Sequence, residues 1–150
     1  MPHSYSSNRL HIVFSTKNRE NLITTELQPK LWAYIAGIAR KIGMQGVVVG
    51  GIENHLHIFA SLPATLTLAR AAQMLKGSSS KWINDHGYAE AKFAWQEGYG
   101  AFSVSASQTV NVVRYVENQV EHHAQHSFEE EFVSFLTRHG IGYDANDVLG

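Results

Sequence analysis

Residues 51–63 read GIENHLHIFASLP, and the architecture follows from this stretch. Glu53 and Asn54 turn the chain, Pro63 closes the run, and the residues between alternate as a β-strand does. Leu56, Ile58, Ala60 and Leu62 fall on one face, which the alternation assigns to burial against helices. His55 and His57 fall together on the other, which the sequence reading leaves pointing outward from an open sheet.

Working outward, GVVVGG (46–51) reads as a short β-branched strand whose end Gly50 and Gly51 loosen. LHIVFST (10–16) is an earlier strand, with Leu10, Ile12 and Phe14 forming its apolar side. The polar connection KNRENLITTELQ follows, and then a helix with Pro29 in its first turn and Leu31, Ile35, Ile38 and Ile42 at helical spacing, stopped by Gly43. Thr67 caps a second helix running to about Asn84, and residues 85–100 read as a loop rich in Gly and aromatics. AFSVSAS (101–107) is a fourth strand. A third helix is expected from about Gln108 to Gln125, with Val113, Val116 and Val120 as its buried stripe. Ser127 and Glu130 form a capping box for a last helix that Gly140 ends. The order β-α-β-β-α-β-α-α makes an α+β fold. Its first six elements match the ferredoxin-like split βαβ arrangement, as in RNA-recognition domains: a four-stranded antiparallel sheet with two helices on one face.

At 150 residues the chain is long enough for one domain, spanning 1–150, that buries about 70% of its extended surface. Its 44% hydrophobic and 17% charged residues exclude a disordered chain. No run approaches about 18 apolar residues, so no membrane span is expected. The start, MPHSYSSNRL, reads as a polar arm and lacks the pattern of a secretory signal. Cysteine is absent, which removes disulfides, thiolate metal sites and cysteine nucleophiles. A cytoplasmic location is the expectation. The net charge of -1 conceals an asymmetry: residues 1–82 carry nine Lys/Arg against three Asp/Glu, residues 83–150 three against ten. The front half therefore attracts anions.

Two imidazoles on one strand face can present two nitrogens to one divalent cation, although His-x-His alone is more often a structural or solvated pair. On the third helix, NVVRYVENQVEHHAQH (111–126), Tyr115 and Gln119 are i, i+4 neighbours. A phenol of pKa about 10 is a poor nucleophile at neutral pH. It becomes useful where a cation polarises a target phosphate and stabilises the developing charge. Two imidazoles and an amide oxygen leave coordination positions open and the full metal charge available. That set suits Mn²⁺ better than Mg²⁺, though Mg²⁺ can serve through abundance.

Four ordered motifs carry a resemblance: GIENHLHIFASLP, LKGSSSKWIN (75–84), WQEGYGAFSVS (95–105) and VRYVENQVEHH (113–123), flanked by HIVFSTKNR and FEEEFVSFLTRHGI. Together they resemble the small HUH-type tyrosine transposases of bacterial insertion sequences, the single-strand type, over nearly the whole chain. The resemblance implies that Tyr115 is the nucleophile and that His55, His57 and Gln119 hold a divalent metal. It further implies a homodimer that binds imperfect DNA hairpins, cleaves single-stranded DNA through a 5′-phosphotyrosine and rejoins it without ATP. The tyrosine helix of such proteins often docks on the partner's histidine strand.

The remaining candidates are basic and aromatic. Arg70, Lys76 and Lys81 on the second helix, and Arg9, Lys17 and Arg19 around the first strand, are candidate phosphate contacts, weighed against solvated surface. GSSSK (77–81) lacks the upstream Gly of a phosphate loop, so no nucleotide cofactor is expected. Trp95, Tyr99 and Phe102 are read as base-stacking or core residues, with core favoured for Phe102. Glu129, Glu130 and Glu131 read as a helix first turn favoured by the dipole. Two other functions remain at this stage: a non-catalytic nucleic-acid-binding module, and a metal-dependent phosphodiesterase using water.

Overall fold

The computed structural model describes residues 5–148; the first four residues of the expected polar arm lie outside it. Strands β1 (Arg9–Ser15), β2 (Gln45–Ile52), β3 (His55–Ser61) and β4 (Gly100–Val104) form one antiparallel sheet in the order β2-β3-β1-β4. Helix α1 (Leu27–Lys41) links β1 to β2, and α2 (Leu68–His86) links β3 to β4. This is the expected split βαβ topology, with an open sheet whose edges are β2 and β4.

The register explains both layers. Val13 lies opposite His57 and Ser15 opposite His55, while Ile12 lies opposite Ile58 and Phe14 opposite Leu56. One face therefore collects Leu10, Ile12, Phe14, Leu56, Ile58 and Ala60 against Leu31 and Ile35 of α1 and Ala71, Leu75 and Ile83 of α2. Helix α2 starts where predicted: the Thr67 side chain accepts from the Arg70 N–H, and Gly87 ends the helix in the left-handed region.

The other face departs from expectation. It does not stand open, because the C-terminal third of the chain packs across it. Helices α3 (Thr109–Glu117), α4 (Gln119–His123) and α5 (Phe128–Arg138) occupy that third. Phe128, Phe132 and Leu136 of α5 pack with Val13 and Phe102 into a second apolar cluster. His55 and His57 are fully buried rather than outward-facing. Gly50, opposite His57 in the register, is what lets α3 sit down: a Cβ there would collide with the Val116 carbonyl oxygen. Its role is close approach rather than loosening the strand end.

The single third helix expected over 108–125 is broken. Asn118, with φ -103° and ψ 32°, leaves helical geometry between α3 and α4. The break changes which side chains turn inward. Val116 is buried as expected, but Val120 is 69% exposed and Gln119 is buried in its place. The capping box of α5 is present in full, with the Ser127 hydroxyl accepting from the Glu130 N–H and Glu130 reaching back to the Ser127 N–H.

Candidate active site

Strand alternation places His55 and His57 on the face under α3–α5, with His11 of β1 beside them. The rings of His11 and His57 stack with centroids 4.9 Å apart, and His11 Nε2 lies 2.7 Å from His57 Nδ1. His55 Nδ1 lies 2.8 Å from Asn54 Oδ1. Both strand histidines thus use Nδ1 on a neighbour and aim Nε2 at one point under the helices.

That point is occupied by the carboxylate of Glu131. Its Oε1 is 2.8 Å from His57 Nε2 and 3.4 Å from His55 Nε2. Its Oε2 is 3.1 Å from His122 Nε2 and 3.2 Å from His123 Nε2, and it accepts a hydrogen bond from the Tyr115 hydroxyl. Glu131 follows the capping box and sits in the stripe Phe128, Glu131, Phe132, Phe135, at i, i+3, i+4, i+7 spacing. Helix periodicity therefore drives it inward along with the phenylalanines.

Tyr115 and Gln119 arrive from above. The Tyr115 ring centroid is 5.7 Å from that of His57, and its hydroxyl is 3.0 Å from His122 Nε2. Gln119 Nε2 donates to the Tyr115 carbonyl at 2.9 Å, which orients its Oε1 to a point 3.3 Å from His55 Nε2. The four residues read from the sequence as one site, His55, His57, Tyr115 and Gln119, are brought together within a single chain. The tyrosine helix lies over its own chain's histidines. A cavity of about 170 Å³, lined by Tyr115, His122, His126, Glu131, Phe135 and Arg138 among others, opens beside the hydroxyl.

The electrostatics follow from burying so many polar groups together. Burial pushes the His55 imidazole down to about 4 against the opposing pull of Glu131, and it holds His11 well below its ordinary value. Burial alone would raise Glu131, but the close approach of the His123, His55 and His57 imidazoles outweighs it and holds the carboxyl far below the usual range. Glu131 is therefore an anion. Burial, and then the bond to that anion, push the Tyr115 phenol well above its ordinary value.

These donors suit a divalent cation. His55 Nε2, His57 Nε2, His123 Nε2 and a Glu131 oxygen lie within 4.8 Å of one another, and Gln119 Oε1 adjoins them. Sequence reasoning missed Glu131, His123, His122 and His11. The signal for Glu131 was legible, since a carboxylate interrupting an otherwise aromatic inward stripe cannot be a solvated first turn. His11 was legible too, two residues from Val13 on the same strand face.

The basic candidates do not converge on this centre. The Lys76 ammonium donates to the carbonyls of Gln96, Glu97 and Gly98, at 2.6, 3.1 and 2.9 Å, and pins the loop before β4. Lys81 pairs with Asp85, Arg70 with Gln73, and Arg9 with Ser7, all on the surface. Lys17 is exposed, and Arg19 pairs with Glu129 at the start of α5. Trp95 and Phe102 are buried, so their faces belong to the core; the Trp95 indole N–H donates to Ser79 Oγ.

A protein-family model described as "Transposase IS200 like" matches residues 4–119. The fold is similar to that of a candidate transposase from Deinococcus radiodurans R1, with a TM-score of 0.64, 19% identity, and coverage of 78% of this chain and 94% of that one. It is also similar to a REP-associated tyrosine transposase solved bound to a REP hairpin, with a TM-score of 0.54, 17% identity, and coverage of 76% and 67%. No curated protein sequence matches the chain. No helix among the described residues is long and apolar enough to cross a membrane.

Proposed function

The chain belongs to the IS200-like transposase family, and on that premise we propose that it cleaves and rejoins single-stranded DNA through a covalent 5′-phosphotyrosine at Tyr115. The observation that carries this reading is the single carboxylate joining the Tyr115 hydroxyl to the buried His55–His57 pair. A hydroxyl and two imidazoles with Nε2 aimed at one place make a nucleophile beside a cation site.

His55, His57 and Gln119 would hold a divalent cation, Mn²⁺ or Mg²⁺. When bound, it polarises the scissile phosphate and offsets the charge that develops on it. Tyr115 Oη attacks the phosphorus. The new bond is Tyr–O–P, the bond that breaks is P–O3′, and the strand leaves with a free 3′-hydroxyl. The phenolic proton has an acceptor already in place at Glu131 Oε2, and the departing 3′-oxygen takes up a proton from water. Attack by a 3′-hydroxyl on the adduct reverses the sequence, so the phosphodiester energy is kept and no nucleotide cofactor is used. Gln119, tied to the Tyr115 carbonyl, positions the nucleophile relative to His55.

The substrate is read as single-stranded DNA carrying hairpins at the element ends. The hairpin in the REP-associated structural neighbour supports that reading. Arg9, Lys17, Arg19, Arg70 and Lys81 are surface cations suited to its phosphates, and binding should weaken steeply with salt. Lys76 was proposed with them, but its bonds to three carbonyls favour a structural role. The chain acts as one domain in the cytoplasm and as a homodimer, with β2 and β4, the outer strands of the sheet, as the places a second copy can pair.

The test is incubation with single-stranded element-end DNA and Mn²⁺, resolved on a denaturing gel. Wild type should give a covalent protein–DNA band that Tyr115→Phe lacks. Cleavage that persists in Tyr115→Phe without a band would mean that water is the nucleophile. Hairpin binding with no cleavage under any metal would reduce the protein to a binding module.

A further inference from the structure

His123 and Glu131 have no part in the three-ligand set of the proposed function, yet both side chains are buried against it. His123 Nδ1 lies 2.7 Å from the backbone carbonyl of His126. A carbonyl only accepts, so Nδ1 carries the hydrogen and fixes the ring. Nε2 then points inward, is buried, and has no hydrogen-bond partner, although Glu131 Oε2 is only 3.2 Å away and out of line. The side chain is 5% exposed. An unpartnered nitrogen inside a protein costs free energy unless something else fills its place.

The spacing says what fills it. A tetrahedral site with ligands at about 2.0–2.1 Å sets neighbouring donors roughly 3.3 Å apart. His55 Nε2 and His57 Nε2 lie 3.4 and 2.8 Å from Glu131 Oε1, His123 Nε2 lies 3.2 Å from Glu131 Oε2, and the four ligand atoms lie within 4.8 Å of one another, so shifts of about half an ångström bring them to that spacing. Each imidazole also has the outer partner typical of metal-bound histidines: Asn54 for His55, His11 for His57 and the His126 carbonyl for His123. Resting on the proposed function, which needs a cation here, we propose that in the DNA-free protein Glu131 and His123 take the place of Gln119 beside His55 and His57, so that the cation is held by three imidazoles and one carboxylate.

The consequences differ from those of the three neutral ligands. Three nitrogens and one anionic oxygen favour Zn²⁺ and Mn²⁺ over Mg²⁺, which prefers oxygen and water. The cation also ties α4 and α5 to β3, so loading the site stabilises the C-terminal third. The second Glu131 oxygen holds the Tyr115 hydroxyl, so the same carboxylate keeps the nucleophile beside the metal.

The test uses metal alone. Isothermal titration of the full chain with ZnCl₂, MnCl₂ and MgCl₂ should show one site per chain, with Zn²⁺ tighter than Mn²⁺ and Mg²⁺ weakest. Glu131→Gln keeps the shape and removes the charge, and it should weaken Zn²⁺ binding by at least about tenfold, the loss that even outer-shell changes cause. His123→Gln should do the same, and Zn²⁺ should raise the melting temperature of wild type more than that of either variant. If Glu131→Gln misfolds by circular dichroism, the His123→Gln titration decides alone. Wild-type affinity in the folded variants, or no Zn²⁺ or Mn²⁺ uptake by wild type, overturns the inference. The gel separates this outcome from failure of the function: wild-type metal affinity in the variants, beside a Tyr115-dependent adduct formed by the wild-type chain, removes only the extra ligands. Normal metal binding with no adduct removes only the transposition chemistry.

Discussion

The two faces of this sheet are made from the same strands and are buried to the same depth, yet they do opposite things. Under α1 and α2 the contacts are hydrocarbon, with Ile12, Phe14, Leu56 and Ile58 fully buried. Under α3–α5 the equally buried positions are His55, His57 and His11, with Gln119 and Glu131 closing over them. The first face gains free energy from every methylene it removes from water. The second must satisfy each polar group it encloses and gains little net from doing so. Stability is thus concentrated on one side of a single layer and chemistry on the other. The histidine side keeps a hydrocarbon margin of its own, where Val13 and Phe102 of the sheet meet Phe128, Phe132 and Leu136 of the C-terminal third.

Substitutions can break this comparison. The largest effect should come from Ile58→Ala, which leaves a hole against α1 and α2 and should cost about 2–5 kcal/mol in urea unfolding. A loss below about 1 kcal/mol would mean that the hydrocarbon face does not dominate stability. Next is Gly50→Ala on the histidine side. Its methyl meets the Val116 carbonyl and must lift α3, costing roughly 1–3 kcal/mol of overpacking and shifting Tyr115 off the histidines. Adduct formation should fall far more than unfolding free energy does; proportionate losses would count against the division of labour. The smallest is Ser127→Ala, which removes the cap of α5 for about 1 kcal/mol. Local hydrogen exchange should rise in α5 and stay unchanged in α1, and equal protection in both helices would contradict it.

How much of this was legible in the sequence divides along the same line. The apolar face was readable because alternation in β1 and β3 and 3.6-residue spacing in α1 and α2 are strong, local signals. The Thr67 and Ser127 caps and the stops at Gly43 and Gly140 depend on short-range bonding and backbone freedom, and those two glycines hold φ of 98° and 66°. The kink at Asn118 was not readable, since neither Gly nor Pro marks it, and so Val120 was placed inside where Gln119 belongs. The closure of the histidine face was not read either. It depends on α5 folding back across the sheet, a long-range contact whose one local sign was Glu131 among phenylalanines. His55, His57, Tyr115 and Gln119 were found through ordered motifs rather than through packing. Of their companions, Glu131 left a local sign in its aromatic stripe, and His123 is identified only by where the fold carries it.

Convergence on one cation is open to direct inspection by anomalous diffraction from crystals of the DNA-free protein soaked in Mn²⁺. A single peak in bonding reach of both strand histidines, with the tyrosine of the same chain alongside, is the predicted result. Manganese bound elsewhere on the molecule, with those two rings left bare at saturating metal, would contradict it.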